Sequence, residues 1–407
     1  MARKLLQINI TANWGSHGKI AEGIGNVVMS HGWESHVAYG RWSNPSSSQL
    51  YHIGSMADER IHGVCSRILD NQGLMSRHAT HKLVEYAKRL DPDVIHLHNI
   101  HGYYLNYPIL FSYLAGCGKP VVWTMHDCWP YTGHCAHYMY VGCDKWKTRC
   151  GECAQKRAYP KSLVFDRSAR NYDLKKRCFL SVADMTLVPV SRWLEGEVRQ
   201  SFFKDTRVTL IHNGIDTDVF KPETHTCGVA RKYGIPAEGH VVLGVASNWW
   251  RKGFDDFLRL NQMLGKGYAM VLVGLSDKDM RSLPPGVIGI RRTQDVTELR
   301  ALYSLADVFL NLTWEDNFPT TNLEALACGT PVITYRTGGS PEAVDASTGF
   351  VVERGDLGTV CQLVKEVCAM PPHAFSDNCR RRVTENFDRN ICYEKYYELY
   401  QRLLPNL

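Results

Sequence analysis

Short apolar runs recur along the chain, separated by amphipathic stretches. Leu5–Ile10, Ser35–Tyr39, Asp93–His98, Pro120–Met125 and Met185–Val190 are of strand length and rich in β-branched or aromatic side chains. Between them, apolar positions repeat at helical spacing over Ile20–His31, Met75–Arg89 and Arg192–Ser201. This alternation predicts a parallel sheet covered on both faces. The pattern then begins again. Val241–Ala246, Ala269–Val273, Val287–Ile290, Val308–Leu312 and Pro331–Thr334 read as strands. Phe254–Leu264, Val296–Leu305 and Asn322–Ala327 read as helices. Near the end, Tyr393, Tyr396, Tyr397, Tyr400 and Leu403 fall at helical spacing, which predicts a docking helix.

The expected fold class is therefore α/β, with two Rossmann-like, doubly wound domains. The first covers residues 1–220 and the second 221–390. Residues 391–407 form a helix that crosses back to the first domain. The seam is expected near Asn213-Gly214 and the polar stretch Lys221–Glu238. Doubly wound sheets bind ligands beyond the C-terminal ends of their strands. Two such domains facing each other predict a central cleft, but no chemistry.

Composition narrows the classes. With 44% hydrophobic residues the chain has ample material for cores, which excludes intrinsic disorder. The net charge of +6 suits a phosphorylated small molecule or an anionic membrane surface. It is too weak to argue for nucleic acid without a concentrated basic stripe. No apolar run is long enough for a membrane span. The stretch Met1–Ile10 has a basic tip but is broken by Gln7 and Asn9, so it reads as a first strand rather than a secretory signal. The expected location is the cytoplasm, with the inner face of the membrane as a peripheral option.

Three segments carry candidate chemistry. Asn13–Lys19 follows the first strand, and its Gly15 and Gly18 allow a ligand close to the backbone at a helix N-terminus. Its spacing is not that of dinucleotide binders. Arg251-Lys252-Gly253 occupies the equivalent turn of the second half, where two cations can neutralise a diphosphate. In Trp314–Ile333, the acidic pair Glu315-Asp316 ends a strand and Glu324 lies on the first turn of the next helix. Carboxylates there can chelate sugar hydroxyls while helix N–H groups face phosphate.

The run Asp316-Asn-Phe-Pro-Thr-Thr-Asn-Leu-Glu324 resembles the acidic–seven–Glu signature of retaining glycosyltransferases of the GT-B fold, family 4. Two departures stand out: Asp316 replaces the usual Glu, with Glu315 beside it, and Pro319 replaces a Gly and removes one N–H donor. The resemblance extends along the chain. Gly15 and Gly18 match the family's glycine-rich loop, Val208–Pro222 its interdomain segment, and Lys252-Gly253 its phosphate-binding pair. The family's Arg five residues before that Lys falls on Ser247, with Arg251 as its substitute. Tyr303–Asp307 and Gly338-Gly339 followed by Glu342 match further motifs.

The resemblance implies a nucleotide-sugar donor held by the second domain and a glycan or lipid-linked glycan acceptor held by the first. Glu324 would bind ribose. Asp316 or Glu315, with Asn317, Phe318, Pro319, Thr320 and Thr321, would hold the sugar. Lys252, Arg251, Gly253, Ser247 and the Gly15 loop would serve the diphosphate. His126 would lie near the anomeric centre, with Gly18 and Asp127 on the acceptor side. No cofactor is implied for catalysis. The family setting is assembly of bacterial capsular or exopolysaccharides of the colanic-acid type.

Cys128, Cys135, Cys143, Cys150 and Cys153 cluster after His126-Asp127, with His134 and His137 nearby. Cys135, Cys143, Cys150 and Cys153 have a spacing that suits a structural zinc site. Reduced thiols or disulfides are the other readings. Arg167, Arg170, Lys175, Lys176 and Arg177 read as a basic face toward a membrane or as a solvated helix. Two other functions stay open: a GT-B nucleotide-sugar epimerase, and a zinc-containing nucleic-acid-binding or scaffold protein.

Overall fold

The computed structural model describes residues 2–404. Residues 1 and 405–407, the outer ends of the segments assigned above, lie outside the described residues. The chain divides into two units: residues up to His212 together with those from Cys392 onward, and Asn213–Ile391. The division precedes residue 220 because the intervening residues are bound into the second unit. Ile215 bridges Asp388, and Arg380 donates to the carbonyls of Thr217 and Phe220.

The first unit is a seven-stranded parallel sheet. Its strands are β1 (Lys4–Ala12), β2 (Glu34–Ser43), β3 (Gln49–His52), β4 (Val94–Leu97), β5 (Val121–Met125), β6 (Met185–Pro189) and β7 (Arg207–Val208), in the order β3-β2-β1-β4-β5-β6-β7. The order reverses between β1 and β4, so the crevice at their C-terminal ends is the ligand-binding position of a doubly wound sheet. The helix Arg389–Leu403 lays Tyr393, Tyr396, Leu399 and Tyr400 against Leu5, Ile24, Val28 and Val94. Gly23 makes room for it: a Cβ there would stand 2.3 Å from the Tyr393 ring.

The second unit repeats the plan. Its strands β8 (His240–Val245), β9 (Tyr268–Val273), β10 (Val287–Ile290), β11 (Val308–Asn311), β12 (Val332–Tyr335) and β13 (Gly349–Val352) form a parallel sheet in the order β10-β9-β8-β11-β12-β13. Its reversal lies between β8 and β11. The helix Phe254–Leu264 packs on this sheet with Phe257 and Leu260 buried.

Strands β3, β7 and β13 and four substantial helices were not foreshadowed by the hydrophobic pattern. These helices are Met56–Leu69, Tyr107–Gly116, Leu357–Cys368 and Ser376–Asn386. The first has an inverted pattern: it buries His62, Gly63 and Ser66 while Ile61, Val64 and Ile68 stand exposed.

Candidate active site

In the second unit, β8 runs into Ser247–Gly253 and β11 into Leu312–Phe318. Gly253 caps the helix Phe254–Leu264 with φ +81, and a Cβ on it would meet the Leu312 carbonyl oxygen at 2.2 Å. Only glycine lets the two segments lie this close. The Trp314 N–H then donates to the Arg251 carbonyl at 2.9 Å, joining the two turns. Their side chains pair accordingly. Arg251 Nη1 lies 3.2 Å from Glu315 Oε2, and Lys252 Nζ bonds Asp316 Oδ2.

These pairs are not equivalent. The Glu315 side chain is 1% exposed, whereas Lys252 and Asp316 are each about one-fifth exposed. Glu315 therefore positions Arg251, and Arg251, Lys252 and Asp316, all about one-fifth exposed, are the members within reach of a ligand. Arg251 keeps a buried Nε without a hydrogen-bond partner, so its guanidinium has donor capacity to spare. Ser247 is exposed beyond β8 and stands in none of these pairs.

The helix Thr320–Ala327 starts at Pro319, whose backbone is extended. The Asn322 N–H donates to the Pro319 carbonyl at 3.3 Å, while the N–H groups of Thr320 and Thr321 open the helix, where they can face an anion. Glu324 is half-buried, and Tyr303 Oη donates to its Oε2 at 2.9 Å. Asn317 is buried and its carbonyl accepts from the Gly339 N–H at 3.1 Å. Phe318 is buried with its ring 5.9 Å from that of Phe387. Both serve mainly to hold the loop.

In the first unit the equivalent position is filled by histidines. Gln7 Nε2 donates to the Ala21 carbonyl at 2.8 Å, which fixes its amide. Its Oε1 therefore accepts from His98 Nε2 at 3.0 Å. Burial holds His98 far below the usual imidazole range, so it is neutral and its Nδ1 accepts. The partner at 3.1 Å is His126 Nε2, which must donate. The network thus assigns His126 the Nε2–H tautomer and makes Nδ1 its acceptor nitrogen. His17 lies 6.0 Å away, ring to ring.

Asp127 turns inward. Its Oδ2 is 2.6 Å from His101 Nε2, and its Oδ1 accepts from the Trp129 N–H at 2.9 Å. Burial opposes its charge, yet His101 and the Trp129 N–H hold its pKa well below the ordinary carboxylate value. An acceptor contact would compete with this pairing. Gly15 opens the helix Gly15–Ser30 with φ +66, and a Cβ on Gly18 would stand 2.6 Å from Thr11 Oγ1. Both glycines are thus required by the turn itself.

Comparison with known proteins matches this division. Residues 22–219 fit the family model Glycosyltransferase Family 4, and residues 239–369 fit Glycosyl transferases group 1. The chain is a glycosyltransferase of the group 1, family 4 type. It is 23% identical to the colanic acid biosynthesis glycosyl transferase WcaC of Escherichia coli, over 98% of this chain and 100% of that one. The D-inositol 3-phosphate glycosyltransferase of Mycolicibacterium smegmatis is 30% identical over 42% of each chain.

Among solved structures, a Rickettsia africae glycosyltransferase superposes with TM-score 0.71 at 15% identity over the whole of both chains. Anabaena HepE in complex with UDP and glucose gives TM-score 0.67 at 13% identity, over 98% of this chain and all of that one. The fold is GT-B.

The cysteine-rich loop of this glycosyltransferase is partly ordered by its thiols. Cys135 and Cys153 share a side-chain hydrogen bond, and Cys150 Sγ accepts from the Gly133 N–H at 3.2 Å. Among the described residues, no three or more His, Cys, Asp or Glu side chains are gathered in a way that could hold a metal ion. The loop is also pinned from beneath by Lys175, which is buried and donates to the carbonyls of Trp129 and Thr132 at 2.7 and 3.1 Å. Lys175 is thus removed from the basic surface expected over Arg167–Arg177.

The sequence reading passed over Gln7, His17, His98 and His101. The signal was present: two histidines alternate in the otherwise apolar run Val94–His98, and a third follows at His101. Histidine on the buried face of a central strand needs a polar partner.

Proposed function

We propose that this enzyme transfers a hexose, with retention of configuration, from a nucleotide sugar to a growing lipid-linked polysaccharide on the cytoplasmic side of a membrane. One observation carries the reading: Lys252 and Arg251 are held beside Asp316 and Glu315 at the strand-order reversal of the second unit, in the loop that leads into the helix bearing Glu324. Two cations are there for a departing diphosphate, an accessible carboxylate for sugar hydroxyls, and a second carboxylate for ribose. Donor phosphate arriving at Lys252 replaces its bond to Asp316 and releases that carboxylate toward the sugar.

No carboxylate is placed as a covalent nucleophile in this scheme. The acceptor attacks from the face that the diphosphate leaves, and the leaving phosphate oxygen takes the acceptor proton. Charge develops on the diphosphate, and in this reading Lys252, Arg251 and N–H groups at the start of the helix Thr320–Ala327 would offset it without a metal. His126 Nδ1 would accept a hydroxyl hydrogen bond from the sugar. The names of WcaC and of HepE bound to UDP and glucose support a polysaccharide product and a nucleotide donor.

The deciding test is a thermal-shift screen against UDP, GDP, ADP, CMP and their sugar conjugates. One nucleotide should raise the melting point well above the others. No shift with any of them would remove the donor assignment. The anomeric configuration of the first product, read by NMR, tests retention, and unchanged turnover in a chelator tests metal independence.

A further inference from the structure

The helix Met56–Leu69 is built inside out. A surface helix ordinarily turns its apolar stripe to the core. Here the inner positions are His62, Gly63 and Ser66. His62 is satisfied where it lies, accepting from the Gly73 N–H at 3.0 Å and meeting Ser76 Oγ at 2.9 Å. Ile61, Val64 and Ile68 share the outer face at i, i+3 and i+7, and they are 58%, 55% and 44% exposed.

A second apolar segment lies alongside. Leu163 N–H donates to the Arg67 carbonyl at 2.6 Å, and Phe165 N–H to the Ile68 carbonyl at 3.2 Å. Leu163, Val164 and Phe165 are each about half exposed. Six large apolar side chains therefore form one outward patch of a kind that soluble surfaces avoid unless something covers it.

The charges around the patch are sorted. Arg60, Arg67 and Lys161 are exposed, and none of them is in an ion pair among the described residues. The neighbouring carboxylates are engaged. Asp58 accepts from the Ser55 N–H and hydroxyl, and Glu59 pairs with Arg41 at 3.1 Å. Asp166 accepts from the N–H groups of Cys153 and Ser168. These donors are neutral, so Asp58 and Asp166 keep their charge, but Arg60, Arg67 and Lys161 outnumber them and the rim is net positive. A second copy docked by twofold symmetry would set these cations against their own kind. An anionic lipid surface matches both features, since apolar side chains enter the headgroup–acyl boundary while Arg and Lys meet lipid phosphates.

We infer that the outer face of Met56–Leu69, together with Leu163–Phe165, docks this protein on an anionic lipid bilayer surface. The surface bears on the lipid-linked acceptor proposed above but does not rest on it. Vesicle binding is read without donor or acceptor, so it can fail while sugar transfer stands.

The test is co-sedimentation of the full chain with vesicles of phosphatidylcholine alone or with about one-third phosphatidylglycerol. Wild type should pellet with the anionic vesicles and at least about tenfold less with the neutral ones, and added salt should weaken binding. Ile61→Ser/Val64→Ser/Ile68→Ser should lose binding to both at an unchanged melting point, because these side chains leave no cavity behind. Leu163→Ser/Phe165→Ser, on the neighbouring segment, should do the same. Arg60→Glu/Arg67→Glu should lose only the gain from phosphatidylglycerol.

Wild type remaining in the supernatant with both vesicles would overturn the inference. So would serine variants that pellet like wild type. Loss of self-association in the serine variants, seen by light scattering without any vesicle binding by wild type, would assign the patch to a second copy instead.

Discussion

Beyond β1, β4 and β5, the first unit presents histidines that bond one another and a carboxylate already satisfied by His101. Beyond β8 and β11, the second unit presents cations and carboxylates in pairs, one of them open to solvent on both sides. The strand order and the reversal point are the same. The first arrangement is closed, its one carboxylate satisfied from within, and it shapes a surface through fixed tautomers. The second stores charge that a charged ligand can exchange for its own. One scaffold thus carries two chemically distinct surfaces, and the function proposed above assigns hydroxyls to the first and phosphate to the second. Of the 17 histidines, only His225, His240 and His373 lie in the second unit.

The largest effect is expected where the second unit's charge is used. Lys252→Ala should lower turnover by about 100-fold or more, the usual scale for removing one stabiliser of transition-state charge. The unfolding midpoint should stay close to wild type, because the lost pair with Asp316 is partly solvated. Wild-type turnover in the folded variant would remove Lys252 from the chemistry.

The first unit should respond in stability. His101→Phe leaves the Asp127 carboxylate buried without its partner, and breaking a pair of this kind costs about 3 kcal/mol or more. Asp316→Asn in the second unit, at one-fifth exposure, should cost less than about 1 kcal/mol. Urea titration of the two variants measures the contrast, and equal costs would erase the distinction between closed and open pairs.

The pH response should also separate the units. His17 and His62 are each pulled down to about 4, chiefly by burial. His96, His98 and His126 are lowered well below the usual value for the same reason. In the unfolded chain these groups take up protons near pH 6.5. Above that pH both states are neutral and the contribution to stability is whole. As pH falls from about 6.5 toward 4, only the unfolded state binds protons, so stability is lost at roughly 1.4 kcal/mol per pH unit for each such histidine. Melting followed by calorimetry from about pH 7.5 to 5 should show this loss. His62→Asn, with a side chain that cannot titrate, should flatten part of the slope.

The two halves were legible because their strands are continuous apolar runs, and the helix Phe254–Leu264 keeps its periodicity to both ends. The charged turn of the second unit was legible because its residues are adjacent in sequence: Arg251-Lys252-Gly253, and Glu315-Asp316. Their pairing was not, since it depends on a close approach that only Gly253 permits. The histidine network was harder to read. Gln7 lies in β1, His98 and His126 directly follow β4 and β5, and His101 lies in a loop, so each looks like an isolated polar interruption until the sheet aligns them. Pattern reading failed outright at Met56–Leu69, where the apolar stripe faces outward and small polar residues face in. The local signal there was the capping box Ser55–Asp58.

The cysteines extend the contrast to its smallest expected effect. In the second unit, Cys328, Cys368 and Cys379 are buried, and burial pushes each thiol up to about 12. In the first unit, the hydrogen bond from Cys135 holds the Cys153 thiol below its ordinary range. Cys135 is raised by the same bond. Thiolate is the reactive form, so brief alkylation with iodoacetamide at neutral pH should label Cys153 ahead of Cys135 and of the three buried thiols. Peptide mass spectrometry reads the order. Protection of Cys135, Cys143, Cys150 and Cys153 together, lifted only by a chelator, would instead mean that a metal such as zinc gathers them into the tetrahedral site their spacing suits. Labelling of Cys153 with no chelator effect would leave the loop held by its own hydrogen bonds and by Lys175 beneath it.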